Sequence, residues 1–150
     1  MRILPLLFVF LLAGCLPINQ TPGLRLGGSP APTPTSFEFV ADHDLIMLRA
    51  QGAVLPRVVN IWGVGSPHAL YVWGDPASGW TRRVAERPEV IVRIGDDAYE
   101  LRAEKVSDPA ETERVRAAYA EKYGQDLEAI FGRPATVEDF QLVYRLTARD

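Results

Sequence analysis

The fold of this chain is decided by residues 71–94, which read YVWGDPASGWTRRVAERPEVIVRI. The stretch begins with the alternation of a β-strand, breaks at Gly74-Asp75-Pro76, and gathers Trp80, Arg82 and Arg83 in a short helical turn. A second strand begins after the next proline. Two strands joined in this way can close a small barrel and place arginines on its rim, where their guanidinium groups suit an anion.

Further strands are predicted on both sides of this stretch. They cover residues 37–39, 44–50, 57–65, 68–73, 89–94, 98–106 and 139–148. Residues 57–65 and 68–73 are expected to form one hairpin, and residues 89–94 and 98–106 another. Gly63 inside a strand predicts a bend that curls the sheet.

One helix is well signalled in the C-terminal half. Asp108 can cap it, Pro109 suits its first position, and Glu111 stands where a capping-box partner belongs. Gly124 is placed to end it, which gives a helix at about residues 109–123. Residues 126–131 can add a further turn or two, and residues 136–139 could begin a helix instead of the last strand.

Many short strands with few helices favour closure into a barrel, because closure hides the strand edges. The sequence therefore predicts an α+β, mainly β domain at residues 37–150. It is a single split β-barrel-like domain of six to seven antiparallel strands with one C-terminal-half helix.

Composition limits the function classes. The chain has 150 residues, of which 47% are hydrophobic and 23% charged, and this balance fits one globular domain. A formal net charge of −3 gives no reason to expect nucleic acid as a partner. The single cysteine excludes an intramolecular disulfide and a metal site of several cysteines.

The N-terminus resembles a bacterial lipoprotein signal. Residues 3–13 are apolar but too few to span ~30 Å of hydrocarbon, which needs ~20 residues. The motif Leu12-Ala13-Gly14-Cys15 implies a signal peptide at residues 1–14 and a palmitate-type lipid anchor on Cys15. By this resemblance the protein is held in the cell membrane facing the periplasm, and Leu16 after the cysteine favours the outer membrane. The alternatives are a generic signal peptide or a buried start of the fold.

Residues 15–36 are predicted to be the lipidated cysteine and a flexible linker. Residues 16–36 hold five prolines and three glycines with no period of two or 3.6, so they should take no secondary structure. The linker would hold the domain off the membrane. The alternative is an ordered arm that lies across the domain.

No catalytic or metal-binding set can be assembled from the sequence. Ser66 and Ser78 lack a nucleophile-elbow pattern, and no triad can be formed with them. His43 and His68 stand far apart without a partner at metal-ligand spacing. We therefore predict no catalytic residues and no metal.

The phrase WTRRVAERPEV at residues 80–90 resembles the split β-barrel flavin-binding superfamily. That group includes pyridoxamine-phosphate-oxidase-like proteins and deazaflavin-dependent nitroreductases, and the resemblance covers about residues 45–106. It implies that Arg57, Trp80, Arg82 and Arg83 hold FMN or a deazaflavin, and that two chains pair as a homodimer.

Two departures from the family pattern weaken its phosphate cradle. Val84 replaces a residue that is often asparagine, and residues 51–54 replace a glycine-rich loop. The structural alternative for Arg82 and Arg83 is that one pairs with Glu86 or Glu89 while the other is solvated. Trp62, Trp73 and Trp80 could stack on a planar ligand, but tryptophans at these spacings more often pack in the core or at its rim.

The leading interpretation is a membrane-anchored binding module of the cell envelope without demonstrable catalysis. It needs no cofactor, and its partner would be a small ligand or another envelope protein. The first alternative is a flavin- or deazaflavin-dependent oxidoreductase, in which the four site residues hold the cofactor. The second is a structural subunit of an envelope complex, which would expose an apolar patch.

Overall fold

The computed structural model of the protein describes residues 25–149. The predictions of a signal peptide, of a lipid anchor on Cys15 and of the first part of the linker lie outside these residues. None of the helices in the described part is long and apolar enough to cross a membrane.

One sheet and two α-helices make up the domain. The strands are β1 (Ser29–Pro30), β2 (Ile46–Ala50), β3 (Arg57–Ile61), β4 (Gly63–Gly65), β5 (Leu70–Trp73), β6 (Glu89–Ile94), β7 (Asp97–Lys105) and β8 (Val143–Ala148), and the helices are α1 (Gly79–Glu86) and α2 (Pro109–Phe131). Seven strands are antiparallel in the order β3-β2-β6-β7-β8-β5-β4, and β1 adds a short parallel pair to β7. The predicted mainly β, split-barrel-like fold is confirmed.

The sheet is strongly curled, because its two edge strands are neighbours in the sequence. β3 and β4 stand at opposite ends of the strand order, yet Trp62 alone separates them in sequence. A flat sheet cannot place its two edge strands one residue apart, so the sheet must bend round on itself. The predicted strand at residues 57–65 is therefore two strands, and the bend predicted at Gly63 is confirmed.

The interior of the curled sheet is the main core. Val90, Val92 and Ile94 of β6 point into it as predicted, with exposures of 2%, 0% and 3%. Leu48 of β2 and Leu101 of β7 are fully buried against them. Full burial of such a side chain stabilises the fold by ~1.5–3 kcal/mol, so this core supplies most of the drive for closure.

α2 covers the outer face of β4, β5 and β8. Its start is the predicted one, because the Asp108 side chain accepts a hydrogen bond from the Ala110 amide at 3.0 Å. Its buried stripe includes Val115 and Tyr119, which pack with residues of these strands. The Tyr119 hydroxyl donates to the Trp62 carbonyl at 2.9 Å, which ties the helix to the bend of the sheet.

Two local predictions were wrong, and one was right in part. Residues 37–39 are not a strand, because Glu38–Asp42 forms a 3₁₀ turn that buries Val40. The helix predicted at about residues 109–123 is kinked by non-helical torsions at Tyr123, and the further turns allowed at residues 126–131 are present, so α2 ends at Phe131 rather than at Gly124. The last strand begins at Val143 rather than residue 139, because Val137–Asp139 forms a 3₁₀ turn closed by a capping box.

Part of the predicted linker lies against the domain. The sequence predicts no secondary structure there, whereas Ser29 and Ala31 donate backbone hydrogen bonds to Asp96 and Ala98 of the β6–β7 hairpin at 2.8 and 3.0 Å. Leu26 is buried by the same contact, at 7% exposure. We call residues 25–31 the N-terminal arm; for these residues the ordered alternative describes the structure.

Candidate functional site

The start of α1 is held by a tight turn after β5. The Asp75 side chain accepts a hydrogen bond from the Ala77 amide at 2.7 Å, and its carbonyl accepts from the Ser78 amide at 2.9 Å. The Thr81 hydroxyl donates to the Asp75 and Ser78 carbonyls, both at 2.8 Å. These bonds fix where the free amide groups of the first turn of α1 point, and such amides favour negative charge.

Arg57 lies beside this helix start. It is the first residue of β3 and pairs with Ala50, so its side chain is on the inner side of the sheet, toward α1. A Cβ placed on Gly79 would stand 3.6 Å from Nη1 of Arg57, which shows how closely the guanidinium approaches the helix. A larger residue at position 79 would occupy the space in front of the guanidinium.

Two buried polar atoms at this place have no hydrogen-bond partner. They are Nε of Arg57 and Oγ of Ser78, and the third such side-chain atom in the described residues belongs to Arg49, discussed below. Ser78 is the N-cap residue of α1, yet its side chain makes no capping hydrogen bond. An N-cap serine normally accepts from the helix backbone, so this buried hydroxyl lacks its usual partner.

Arg83 closes the opposite side of the site. Its Nη1 donates to the Leu55 carbonyl at 2.9 Å, which joins α1 to the loop between β2 and β3. A Cβ on Gly52 would overlap both Nη1 of Arg83 and the Leu55 carbonyl oxygen, so this contact requires glycine at position 52. We call Arg57, Ser78, Gly79, Arg83 and the 51–56 loop the cationic rim.

The other two predicted site residues, Trp80 and Arg82, do not belong to the cationic rim. Trp80 is 7% exposed and packs in the main core, with its ring centroid 6.2 Å from that of Tyr144. Arg82 is exposed to solvent. The structure thus brings Arg57 and Arg83 to one rim, buries Trp80 beneath it and leaves Arg82 on the outside of α1. That these residues hold a cofactor stays a prediction.

The acids near α1 have other partners. Glu86 pairs with Arg87 at 3.4 Å, and Glu89 pairs with Arg102 at 2.6 Å. The alternative in which one of these acids neutralises Arg82 or Arg83 is therefore wrong for this structure. The positive charges of the cationic rim are therefore not neutralised by these two acids and can attract an anion.

Sequence reasoning missed the apolar part of the rim. Val54 and Leu55, at the tip of the 51–56 loop, are 89% and 56% exposed beside Arg83. The signal was present, because two adjacent apolar residues in a loop bounded by Gly52 and Pro56 have no strand or helix to bury them. An apolar tip next to cationic donors suits a ligand with an anionic end and an apolar body.

The remaining candidates are structural. Trp62 stacks on Tyr123 at 4.8 Å between ring centroids, and Trp73 packs on Phe140 at 4.9 Å. Within residues 25–149 no group of three histidine, cysteine or acidic side chains is arranged to hold a metal ion.

Solved structures with this fold are named for different ligands. The heme storage protein HutZ of Vibrio cholerae has a TM-score of 0.58 at 18% identity, over 75% of this chain and 87% of that one. An FAD-binding protein of Mesorhizobium loti has a TM-score of 0.54 at 14% identity, over 74% and 83% of the two chains. An F420-H2-dependent reductase, FDR-A, has a TM-score of 0.55 at 16% identity, over 69% and 94%. At these identities the similarity shows a shared fold.

Sequence comparison identifies the family. No curated protein is significantly similar to the chain. The model of a family described as "Uncharacterized protein conserved in bacteria (DUF2255)" matches residues 38–142, from the first 3₁₀ turn to the residue before β8. The chain therefore belongs to the bacterial DUF2255 family, whose sequence here folds as a split β-barrel.

Proposed function

We propose that the domain is a binding module that takes the phosphate group of a flavin or deazaflavin cofactor at the cationic rim. One observation carries this proposal: Nε of Arg57 and Oγ of Ser78 are both buried without a partner where α1 begins. An unpaired buried donor costs ~1–3 kcal/mol, and a bound phosphate would remove that cost for both groups. The guanidinium fork also matches phosphate oxygens in geometry.

The residues of the rim fit both ends of such a cofactor. Arg57, Ser78 and the first amides of α1 supply donors for the phosphate. Val54 and Leu55 supply an apolar surface for the planar rings. Trp80 gives no open ring face for stacking, so the proposal assigns it to support of α1 from below. The FAD and F420-H2 named for two proteins of the same fold support the choice of cofactor class.

FMN and riboflavin separate the phosphate from the rings. Riboflavin carries the same rings without the phosphate, so we expect the full chain to bind FMN about tenfold tighter or more by fluorescence titration. Arg57→Gln should remove this preference, because it removes the charge that faces the phosphate. Bound FMN should also raise the thermal midpoint by mass action.

Arg87→Gln is the matched control. Arg87 lies just after α1, is exposed and pairs with its neighbour Glu86, so its loss should leave FMN affinity unchanged. Equal affinities for FMN and riboflavin, or an Arg57→Gln protein that still prefers FMN, would contradict the proposal. Reduction of bound FMN by a nicotinamide donor would add the oxidoreductase activity of the alternative interpretation to the same rim.

The proposal for the N-terminus is separate. We infer from the Leu12-Ala13-Gly14-Cys15 motif that Cys15 carries lipid and holds the domain at the periplasmic side of a membrane. Metabolic labelling with a palmitate analogue should mark the wild-type chain and not Cys15→Ala. Wild-type protein that stays unlabelled in the cytosolic fraction would contradict this localisation. Pairing of two chains and docking to an envelope partner stay predictions.

A further inference from the structure

A cavity of about 500 Å³ lies on the outer side of the sheet, beneath the N-terminal arm. Its floor is formed by Arg49 of β2, Ile91 of β6, and Ala98 and Glu100 of β7. Its roof is the arm, from residue 25 to residue 30. The volume is in the range of small-molecule sites, which is ~300–1,000 Å³.

Arg49 is the charged group at one end of this floor. It pairs with Val58 on one side and with Ile91 on the other, so its side chain rises between apolar neighbours. Its Nε is buried and has no hydrogen-bond partner in the described part of the chain. A guanidinium with an unused buried donor is a place where an anionic group would bind.

Glu100 does not neutralise Arg49. Ile91 pairs with both residues and stands between them, so their Cα atoms are two strands apart, at ~9–10 Å. Glu100 instead has Arg149 as its partner, at 3.6 Å. A carboxylate in the cavity would therefore be drawn to the Arg49 end and repelled from the Glu100 end, which sets its direction.

The space between the two charges is apolar. Ile91 and Ala98 form its floor, and Leu26 and Pro30 line it on the side of the arm. Polar ligands such as sugars or free phosphate would leave this surface unmatched, whereas a short hydrocarbon chain would cover it and gain the free energy of burial. The lining therefore matches a molecule with one anionic head and an apolar chain.

A few hydrogen bonds hold the arm in place. Arg93 donates to the Leu26 carbonyl at 3.3 Å, and the Ser29 and Ala31 amides donate to the Asp96 and Ala98 carbonyls at 2.8 and 3.0 Å. The same contact buries Leu26. A ligand in the cavity would therefore touch both the sheet and the arm.

We propose that this cavity binds a small amphipathic carboxylate, with its head on Arg49 and its chain over Ile91 and Ala98 beneath the arm. The site is distinct from the cationic rim. Arg49 shares a face with Val58, whereas Arg57, the preceding residue in β3, lies on the opposite face of the sheet. The two proposals therefore stand or fall separately.

Octanoate and octan-1-ol are the probes for this site, since they share a chain and differ in charge. In calorimetric titrations of the full chain, octanoate should bind, and the affinity for octan-1-ol should be lower by about tenfold or more. Arg49→Gln should lower octanoate affinity to the level of the alcohol. Amide resonances of Ile91 and Ala98 should shift on addition of octanoate to the wild-type protein, a result that needs no variant to fold.

Arg102→Gln is the matched control, because Arg102 is an exposed arginine on β7 that pairs with Glu89 away from the cavity. Its affinity for octanoate should equal that of the wild type. Absence of octanoate binding, equal binding of acid and alcohol, or shifts confined to residues outside the cavity would overturn the proposal. FMN affinity in Arg49→Gln should be unchanged, which keeps the two sites distinguishable.

Discussion

Lys122 joins three separate parts of the chain through one ammonium group. Its Nζ donates to the carbonyls of Val40, His43 and Gly63 at 2.6, 2.7 and 3.0 Å. Val40 lies within the first 3₁₀ turn, His43 follows that turn, and Gly63 is the first residue of β4. Burial lowers the pKa of Lys122, while Asp44 and Asp42 oppose that shift. The ammonium group therefore joins α2 to the first 3₁₀ turn and to the bend of the sheet.

Replacement of Lys122 by methionine should destabilise the protein by about 2 kcal/mol, because three carbonyls lose a charged donor while the apolar stem is kept. Urea unfolding of the variant and the wild type measures the difference.

The chain's other lysine supplies the control for this variant. Lys105 is exposed at the end of β7, so Lys105→Met should change stability by less than ~0.5 kcal/mol. Equal unfolding midpoints for the two variants would show that the three carbonyl contacts of Lys122 contribute nothing.

The element that carries each residue of the candidate site could be predicted from the sequence, but the groups that each residue contacts could not. Arg57 could be placed at the start of a strand from its sequence neighbours, yet its unpaired Nε depends on the approach of Gly79 from a distant element. The burial of Trp80 was signalled, because Trp80 and Val84 are four residues apart and share one face of α1. The structure fits the core-packing alternative for this tryptophan.

At the scale of single elements, helix α2 shows which of its two ends the local sequence determines. Its start at Asp108 and Pro109 follows from capping chemistry and was predicted correctly. Its end was predicted in part: the helix kinks at Tyr123 beside Gly124 and takes the further turns allowed at residues 126–131, because glycine alone does not stop a helix unless the backbone turns left-handed there. Gly132 does so, with φ of 67°, whereas Gly124 has no positive φ. Which glycine ends the helix depends on Leu127, whose burial in the tertiary structure no local signal reveals.

The two glycines of α2 should respond oppositely to alanine. Gly124→Ala should stabilise the protein by ~0.5–1 kcal/mol, because position 124 is inside the helix and a Cβ there meets nothing within 4 Å. Gly132→Ala should destabilise it by about 1 kcal/mol, because alanine is strained at φ of 67°. Thermal midpoints of both variants test this. A destabilised Gly124→Ala protein would show that the irregular torsions at Tyr123 need the adjacent glycine.

Across the whole molecule, the barrel could be predicted and its strand order could not. Alternation and turn residues locate the hairpins, since those pairings are local. The contacts that close the sheet join β2 to β6, and β8 to both β5 and β7, across long stretches of chain. Such pairings depend on which buried faces fit together in three dimensions. The N-terminal arm could be given only as an alternative for the same reason, because the groove that receives it exists only after β6 and β7 have formed.

The pKa values of the tyrosines reflect how fully this closed fold buries their side chains. Burial is the largest cause that raises the pKa of each of the five tyrosines of the chain. For Tyr71 the pKa rises to about 12, with help from Glu111, whose carboxylate accepts the Tyr71 hydroxyl at 2.8 Å. For Tyr123 burial likewise raises the pKa to about 12.

Alkali should therefore unfold the protein before its tyrosines ionise one by one. A pKa that is higher in the folded than in the unfolded state gives stability that is fully present below pH ~10 and is lost as the pH rises toward ~12. We expect phenolate absorbance and loss of circular dichroism to rise together in one cooperative step in that window. In denaturant the same tyrosines should titrate near pH ~10 without a cooperative step. Ionisation near that pH in the native protein, with its circular dichroism unchanged, would show that water reaches the barrel and the face beneath α2.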